Sequence, residues 1–265
     1  MYPSRRTLNT GTTMNLGDRM KAYEDCYDFK MQARTPIVIR VDGKGFSKYT
    51  KAMGFKKPFD ETLMKAMAET TRFTASSIEG CLFGYTQSDE STFVLRNDQS
   101  DESQPWFNNR IQKMVSITSS LFTAYFASQV TGRQAYFDTR VFAVPTLDEA
   151  INCLVWRQRD ATKNSIQAAA YYEVSAKEGR KTTQKLMHGL RGAELQELLF
   201  QKTGINWNDY PASFKRGIGC YKKKYVVPLN DGTTVERSAW EIDKDLPIFS
   251  QDRNFLKEIL DFKAE

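Results

Sequence analysis

The chain reads as an α/β protein of the α+β kind: a ferredoxin-like βαββαβ unit with an antiparallel sheet, then a C-terminal helical and hairpin extension. Three features point there. Pro36-Ile37-Val38-Ile39-Arg40-Val41 is a short apolar run ending in Asp42-Gly43. Two further apolar runs flank Gln87-Ser88-Asp89-Glu90. Long segments of helical periodicity lie between and after them.

Residues 36–42 read as a buried strand. Residues 60–78 read as a helix, opened by Asp60 after Pro58, with Leu63, Met64, Met67 and Phe73 along one side. Residues 81–86 and 91–96 form a hairpin. Residues 106–129 read as a second helix, with Ile111, Val115, Thr118, Phe122 and Phe126 at helical spacing, and Arg110 and Lys113 on one face. Residues 134–144 supply the fourth strand, and the polar stretch 97–105 is expected to be a disordered insertion. In this motif the first strand pairs antiparallel with the third at the centre of the sheet. The end of one then lies beside the start of the other, which places Asp42 next to Asp89 and Glu90.

Beyond the motif, Thr146-Leu147-Asp148-Glu149 is a capping box opening a helix to about Gln158. A separate helix is predicted over 163–175, and short helices over 182–189 and 192–202, separated by Gly189 and Gly192. Residues 214–228 and 233–241 read as a hairpin around Asn230-Asp231-Gly232, and 251–263 as a final amphipathic helix. The expected organisation is a flexible tail over 1–16, a catalytic unit over 17–145, and a mainly helical part with a hairpin arm over 146–265, packed on that unit.

Composition narrows the chemistry. With 265 residues and 40% hydrophobic content the chain can bury a large core. No apolar run is long enough to span a bilayer, and residues 1–13 lack the apolar stretch of a secretory signal. A cytoplasmic location is expected, with a short mitochondrial leader as the alternative. Cys26, Cys81, Cys153 and Cys220 are scattered and His188 is the single histidine, which argues against zinc and against triad hydrolysis. Carboxylates, lysines and arginines must do the work. The net charge is +6, and Lys215-Arg216 and Lys222-Lys223-Lys224 lie among Phe214, Tyr221 and Tyr225, a pattern suited to phosphate.

Carboxylates on rigid strand ends, beside a glycine that admits a ligand to the backbone, suit magnesium-assisted phosphoryl transfer. Acids this close repel unless a cation neutralises them or one keeps its proton. Two magnesium ions would satisfy them. The plain alternative makes Asp42-Gly43 a turn, Ser88-Asp89-Glu90 a hairpin tip, and Asp60 a helix cap.

The ordered set Arg40-Val41-Asp42-Gly43-Lys44-Gly45-Phe46, Lys57-Pro58-Phe59-Asp60, Gln87-Ser88-Asp89-Glu90-Ser91-Thr92-Phe93, Trp106-Phe107 with Arg110 and Lys113, Phe137-Asp138-Thr139-Arg140-Val141 and Trp156-Arg157-Gln158-Arg159-Asp160 resembles the tRNA-histidine guanylyltransferase superfamily. The resemblance spans roughly residues 17–225. It implies a polymerase-like palm over 17–145 and nucleotide addition to RNA 5′ ends in the 3′–5′ direction. It implies metal ligands at Asp42, Asp89 and the Gly43 carbonyl, with Glu90 in the same acidic constellation. It implies nucleotide handling by Lys44, Gly45, Phe46, Lys57, Asp60 and Ser88. Charge placement separately suggests RNA contact by Arg110, Lys113, Lys215, Arg216 and Lys222–Lys224, and Asn164, shared with the family stretch, is grouped with them. Magnesium, ATP, GTP and other nucleoside triphosphates, tRNA and a homotetramer or dimer are the implied cofactors and partners.

The histidine-specific enzymes carry H-I-N-N-L-Y-N where this chain has Thr162-Lys163-Asn164-Ser165-Ile166-Gln167-Ala168, and a histidine where it has Ser47. This departure points to the guanylyltransferase-like branch, which repairs tRNA 5′ ends against a template. A tRNA-histidine guanylyltransferase, a palm-type nucleotide cyclase and a non-catalytic RNA-binding protein are the alternatives.

Overall fold

A computed structural model describes residues 14–228 and 233–261. Six strands form one antiparallel sheet: β1 (Ile37–Gly43), β2 (Cys81–Gln87), β3 (Glu90–Leu95), β4 (Phe137–Ala143), β5 (Ile218–Pro228) and β6 (Thr234–Asp243), in the order β4-β1-β3-β2-β5-β6. The first four are the expected motif. The hairpin β5–β6 continues the same sheet by pairing Phe83–Thr86 of β2 with Ile218–Tyr221 of β5. Its turn, Asn230-Asp231-Gly232, lies outside the described residues, as do the tail 1–13 and the last residues of the chain.

The two-residue period of β1 divides the core. Ile37, Ile39 and Val41 face α3 (Glu61–Ser77) and α4 (Ile111–Gln129), where Met67, Met114, Phe122 and Phe126 are buried. Val38 faces the opposite way with Val94, Phe83 and Tyr85. There it meets Ile151 and Leu154 of α5 (Leu147–Glu178), Leu256 and Leu260 of α9 (Arg253–Leu260), and Phe249. A third cluster joins the far half of α5 to α7 (Ala193–Thr203) and Trp207. No helix among the described residues is long and apolar enough to cross a membrane.

Several elements depart from the sequence reading. Three helices were not predicted: α1 (Leu16–Asp25), which buries none of its residues; α2 (Phe46–Ala52), entered through Gly45 in a left-handed conformation at φ 62°; and α8 (Ala212–Arg216), which replaces the start of the strand expected from residue 214. The predicted 106–129 helix is broken, because Phe107, Asn108 and Asn109 all take positive φ and α4 starts after Arg110. Arg110 stands at the N-cap position of α4 without a side-chain capping bond and forms an ion pair with Asp28. The apolar stripe of α4 packs on the sheet. The predicted break near Gln158–Lys163 does not occur: α5 runs unbroken for 32 residues. Asp160, which reads as a cap, instead faces back to Arg157 at 3.2 Å, and Ser165 Oγ accepts a hydrogen bond from the indole of Trp207. Beyond it lie α6 (Arg180–Met187) and α8 (Ala212–Arg216), each bounded by glycine.

Phe83 is fully buried, with Tyr221 of β5 and Phe249 of the C-terminal segment within ring-contact distance at 5.8 and 6.1 Å. It welds the hairpin and the C-terminal segment to the palm strands. Phe83→Ala should cost about 3–5 kcal/mol in urea unfolding, as deletion of a buried aromatic does. A loss below about 1 kcal/mol would mean that the C-terminal segment is not part of one cooperative core.

Candidate active site

The site is set by register. Asp42, at the end of β1, lies opposite Glu90 of β3 on one side and Asp138 of β4 on the other. Asp89 stands in the tight turn between β2 and β3, where Ser88 takes φ 52°. The Gly43 amide donates to the Asp89 carbonyl at 3.1 Å, locking the two strand ends together. A Cβ on Gly43 would lie 2.3 Å from the Phe46 ring and 3.0 Å from the Asp89 Cβ, so only glycine fits between them.

The three neighbouring acids do not share one environment. Both carboxylate oxygens of Glu90 accept from the Arg157 guanidinium, at 2.6 and 2.7 Å, and the side chains are 11% and 6% exposed. Burial raises the Glu90 carboxyl above its ordinary value, with Arg157 pulling against it. Glu90 was expected to act with Asp42 and Asp89. One bond from Arg157 to each of its oxygens also ties α5 to the hairpin. Asp42 and Asp89 have no ion-pair partner among the described residues. Asp89 is raised above the usual carboxylate range, first by burial and then by the charge of Asp42, while the Ser88 hydroxyl, donating at 3.0 Å, and Lys57 oppose the shift. Among the described residues no group of three or more His, Cys, Asp or Glu side chains is placed to hold a metal ion. Magnesium nevertheless fits the donor set. It takes one or two carboxylates together with substrate phosphates rather than an all-protein cage. Two acids without an ion-pair partner, beside the half-buried Gly43 backbone, are such a set.

A cleft of about 250 Å³ opens next to Asp89. Phe46 of α2, Lys57, Asp60, Ser88 and Asn164 of α5 line it, so six of the residues expected at the site from sequence converge there, Asp89 included. Lys57 reaches Thr50 Oγ1 at 3.3 Å and lies 5.8 Å from the Tyr172 ring centre. Asp60 caps α3 by accepting from the Leu63 amide, and its second oxygen accepts from the Lys56 amide at 2.8 Å. It thus shapes the loop that presents Lys57. Lys44 and Gly45 do not line the cleft. Sequence reading did not place Tyr172 and Phe214 at this site, though they form its aromatic wall, Phe214 stacking on Phe59 at 4.9 Å.

The basic residues expected to meet RNA are not a single patch. Successive strand residues point to opposite faces, which splits Lys222, Lys223 and Lys224. Lys223 pairs with Glu241 and Lys224 with Glu236 across the hairpin. Lys215 donates to the Asn208 carbonyl and lies over Trp207, and Arg216 donates to the Leu246 carbonyl at 3.1 Å. Lys113 lies against the Phe107 ring.

The sheet order, the paired acids at the strand ends and the adjoining cleft define a palm-like nucleotidyltransferase. The family model "tRNAHis guanylyltransferase" matches residues 17–145 and "Thg1 C terminal domain" matches 149–247. A probable tRNA(His) guanylyltransferase of Drosophila melanogaster is 32% identical over 74% of this chain and 73% of its own length. The tRNA(His) guanylyltransferase of Schizosaccharomyces pombe is 33% identical over 71% of this chain and 74% of its own. A bacterial tRNA(His) guanylyltransferase-like protein in complex with ATP superposes with a TM-score of 0.80 at 37% identity, covering 93% of this chain and 99% of that one. The Saccharomyces cerevisiae tRNA(His) guanylyltransferase superposes at 0.66 with 27% identity, over 75% of this chain and 91% of its own. The chain belongs to the tRNA(His) guanylyltransferase family.

Two outcomes follow from the electrostatics. Arg157→Leu should cost about 3–5 kcal/mol, because it leaves Glu90 charged and buried, and adding Glu90→Leu should recover most of that loss. Additive costs in urea unfolding would show that the pair is not coupled. The second outcome concerns Asp89. A carboxyl raised in the folded state binds its proton more tightly there, so folding stability falls as pH climbs from its ordinary value through the raised one. At pH 7 without metal, Asp89→Asn should therefore unfold at a higher temperature than wild type. Magnesium should raise the wild-type midpoint and leave that of the variant unchanged. A variant less stable than metal-free wild type would contradict this.

Proposed function

We propose that this chain adds nucleotides in the 3′–5′ direction to the 5′ end of a tRNA or tRNA-like RNA, with the opposite RNA strand selecting the base. The observation that carries the reading is the convergence of Lys57, Ser88, Asn164 and Asp89 on one nucleotide-sized cleft, next to the strand end that bears Asp42. ATP or GTP would occupy the cleft. A 5′ phosphate oxygen attacks the α-phosphorus and pyrophosphate leaves. A 3′-hydroxyl then attacks the activated 5′ phosphorus and the nucleoside monophosphate leaves. Direct extension of a 5′ triphosphate needs only the attack of the 3′-hydroxyl, with pyrophosphate as the leaving group. Lys57 and Ser88 offer donors to phosphate oxygens, and Asp42, Asp89 and the Gly43 carbonyl would hold magnesium. Bound there, magnesium supplies Lewis acidity to the attacking and leaving oxygens. The buried pair of Arg157 with Glu90 keeps that third acid out of competition for the cation.

Template direction is favoured by the sequence at Thr162–Ala168, which lacks the histidine of the histidine-specific enzymes. The bacterial guanylyltransferase-like protein, 37% identical, supports the same branch. A tRNA partner, a cytoplasmic location (or mitochondria as the alternative) and assembly into a dimer or tetramer belong to this reading. The apolar stripe of α4 packs on the sheet, and α1, with Leu16, Met20 and Tyr23 exposed, offers apolar surface for such contacts.

Changing the template base opposite the first missing position of a 5′-truncated tRNA should change the incorporated nucleotide to its complement. Guanosine addition whatever the template base would restore the histidine-specific reaction. Asp42→Ala should remove addition and leave tRNA affinity near wild type; wild-type turnover in that variant would sink the metal assignment.

A further inference from the structure

We propose that an open shelf of the sheet beside Asp42, separate from the nucleotide cleft, seats the end of the RNA, and that Trp156 stacks on its terminal base pair. This inference rests on the RNA-directed reading above and names the surface that reading needs.

Trp156 behaves unlike the other tryptophans. Trp106 and Trp207 are each 8% exposed, and Trp240 packs against the core on the α3 side. Trp156 is 52% exposed, in a helix that buries Ile151, Leu154, Val155, Arg157 and Gln158 around it. Two guanidinium groups stand at its ring, Arg157 at 4.5 Å and Arg40 at 5.6 Å from the centroid. Such an indole is fixed in place by its cationic neighbours and still keeps surface for a ligand. Arg157 is committed to Glu90. Arg40 has no ion-pair partner among the described residues, and its Nε is buried without a hydrogen-bond partner. Arg40 also acts on the Glu90 carboxylate, whose oxygens are already bonded to Arg157. A guanidinium without an ion pair of its own next to an exposed aromatic ring is the pairing that single strands and exposed ends of RNA recognise, stacking for the base and charge for the phosphate.

Position gives the shelf its use. Arg40 precedes Asp42 by two residues on β1, hence on the same face of the sheet and about 7 Å along the strand. Its register partner on edge strand β4 is Arg140, which is exposed, and Phe142 farther along that strand is 37% exposed. Asp138, opposite Asp42, is offset by Arg140 at 3.5 Å. None of Arg40, Arg140, Phe142 and Trp156 lines the cleft. Asp89 faces the cleft and Asp42 begins the shelf, so the acidic pair lies at the border of two surfaces. A reaction that joins a hydroxyl to a phosphorus needs two such surfaces, one for each reactant.

The test uses the full-length protein and a 5′-truncated tRNA carrying 2-aminopurine at its 5′-terminal position. Wild type should quench that base on binding. Trp156→Ala should lose the quench and raise KM for the RNA roughly tenfold, the loss of one aromatic–base stack, with KM for the nucleoside triphosphate unchanged. Trp156→Phe should restore most of both, which separates stacking from any loosening of the Arg157–Glu90 pair. Equal quenching by wild type and Trp156→Ala overturns the proposal. So does a shift of oligomeric state in Trp156→Ala with RNA KM unchanged, which would mean the shelf is covered by a second copy. If wild type adds no nucleotide to any tRNA yet the quench depends on Trp156, the proposed activity falls and the shelf stands. If Trp156→Ala adds nucleotides with wild-type parameters, the shelf falls and the activity stands.

Discussion

Both carboxylate oxygens of Glu90 are held by the guanidinium of Arg157, and through that contact the long helix α5 is pinned to the tip of the central hairpin. Three acids meet where β1 and β3 end, and a folded chain tolerates such a meeting only if their charges are balanced. Arg157 balances one of them from within. The remaining two, Asp42 and Asp89, have no ion-pair partner among the described residues, which is what the proposed magnesium site draws on. The same contact fixes α5 across the sheet, so that Asn164 and Tyr172 close the cleft on one side while Trp156 stands over Arg40 on the other. One ion pair thereby helps to position both the cleft and the proposed shelf.

Backbone register imposes the second constraint. With Gly43 bonded to Asp89 and no space for a Cβ between them, the strand ends cannot drift apart or slip. A one-residue slip would turn Asp42 toward the apolar face that holds Ile39 and Val41. The Phe46 ring packs against Phe126 and Phe137 under this corner. The acidic pair therefore sits on a rigid floor, and the cleft wall is carried by helices that the third apolar cluster holds together.

The parts of this arrangement visible in the sequence were those encoded by local periodicity. Alternation in 36–42 and the paired runs around Ser88-Asp89 gave strands, and the βαββαβ order alone placed Asp42 beside Glu90. Parts decided by distant partners were not visible. Asp160 to Ser165 has the composition of a helix start, yet Arg157 and Trp207 claim those side chains and α5 continues. Lys222–Lys224 looks like one cationic patch, but strand geometry and acids of β6 divide and neutralise it. The structural role of Glu90 had one available signal: Arg157 is a charged residue on the buried stripe of Ile151, Leu154 and Ala161, a position that demands a buried acid.

The most direct test of the account is a crystal structure of the protein with Mn²⁺ and a non-hydrolysable nucleoside triphosphate. Anomalous scattering should place manganese against Asp42 and Asp89, with the triphosphate in the cleft near Lys57 and Ser88 and the Glu90–Arg157 pair intact. Manganese bound by Glu90 with Arg157 displaced, or a nucleotide bound away from this cleft, would contradict it.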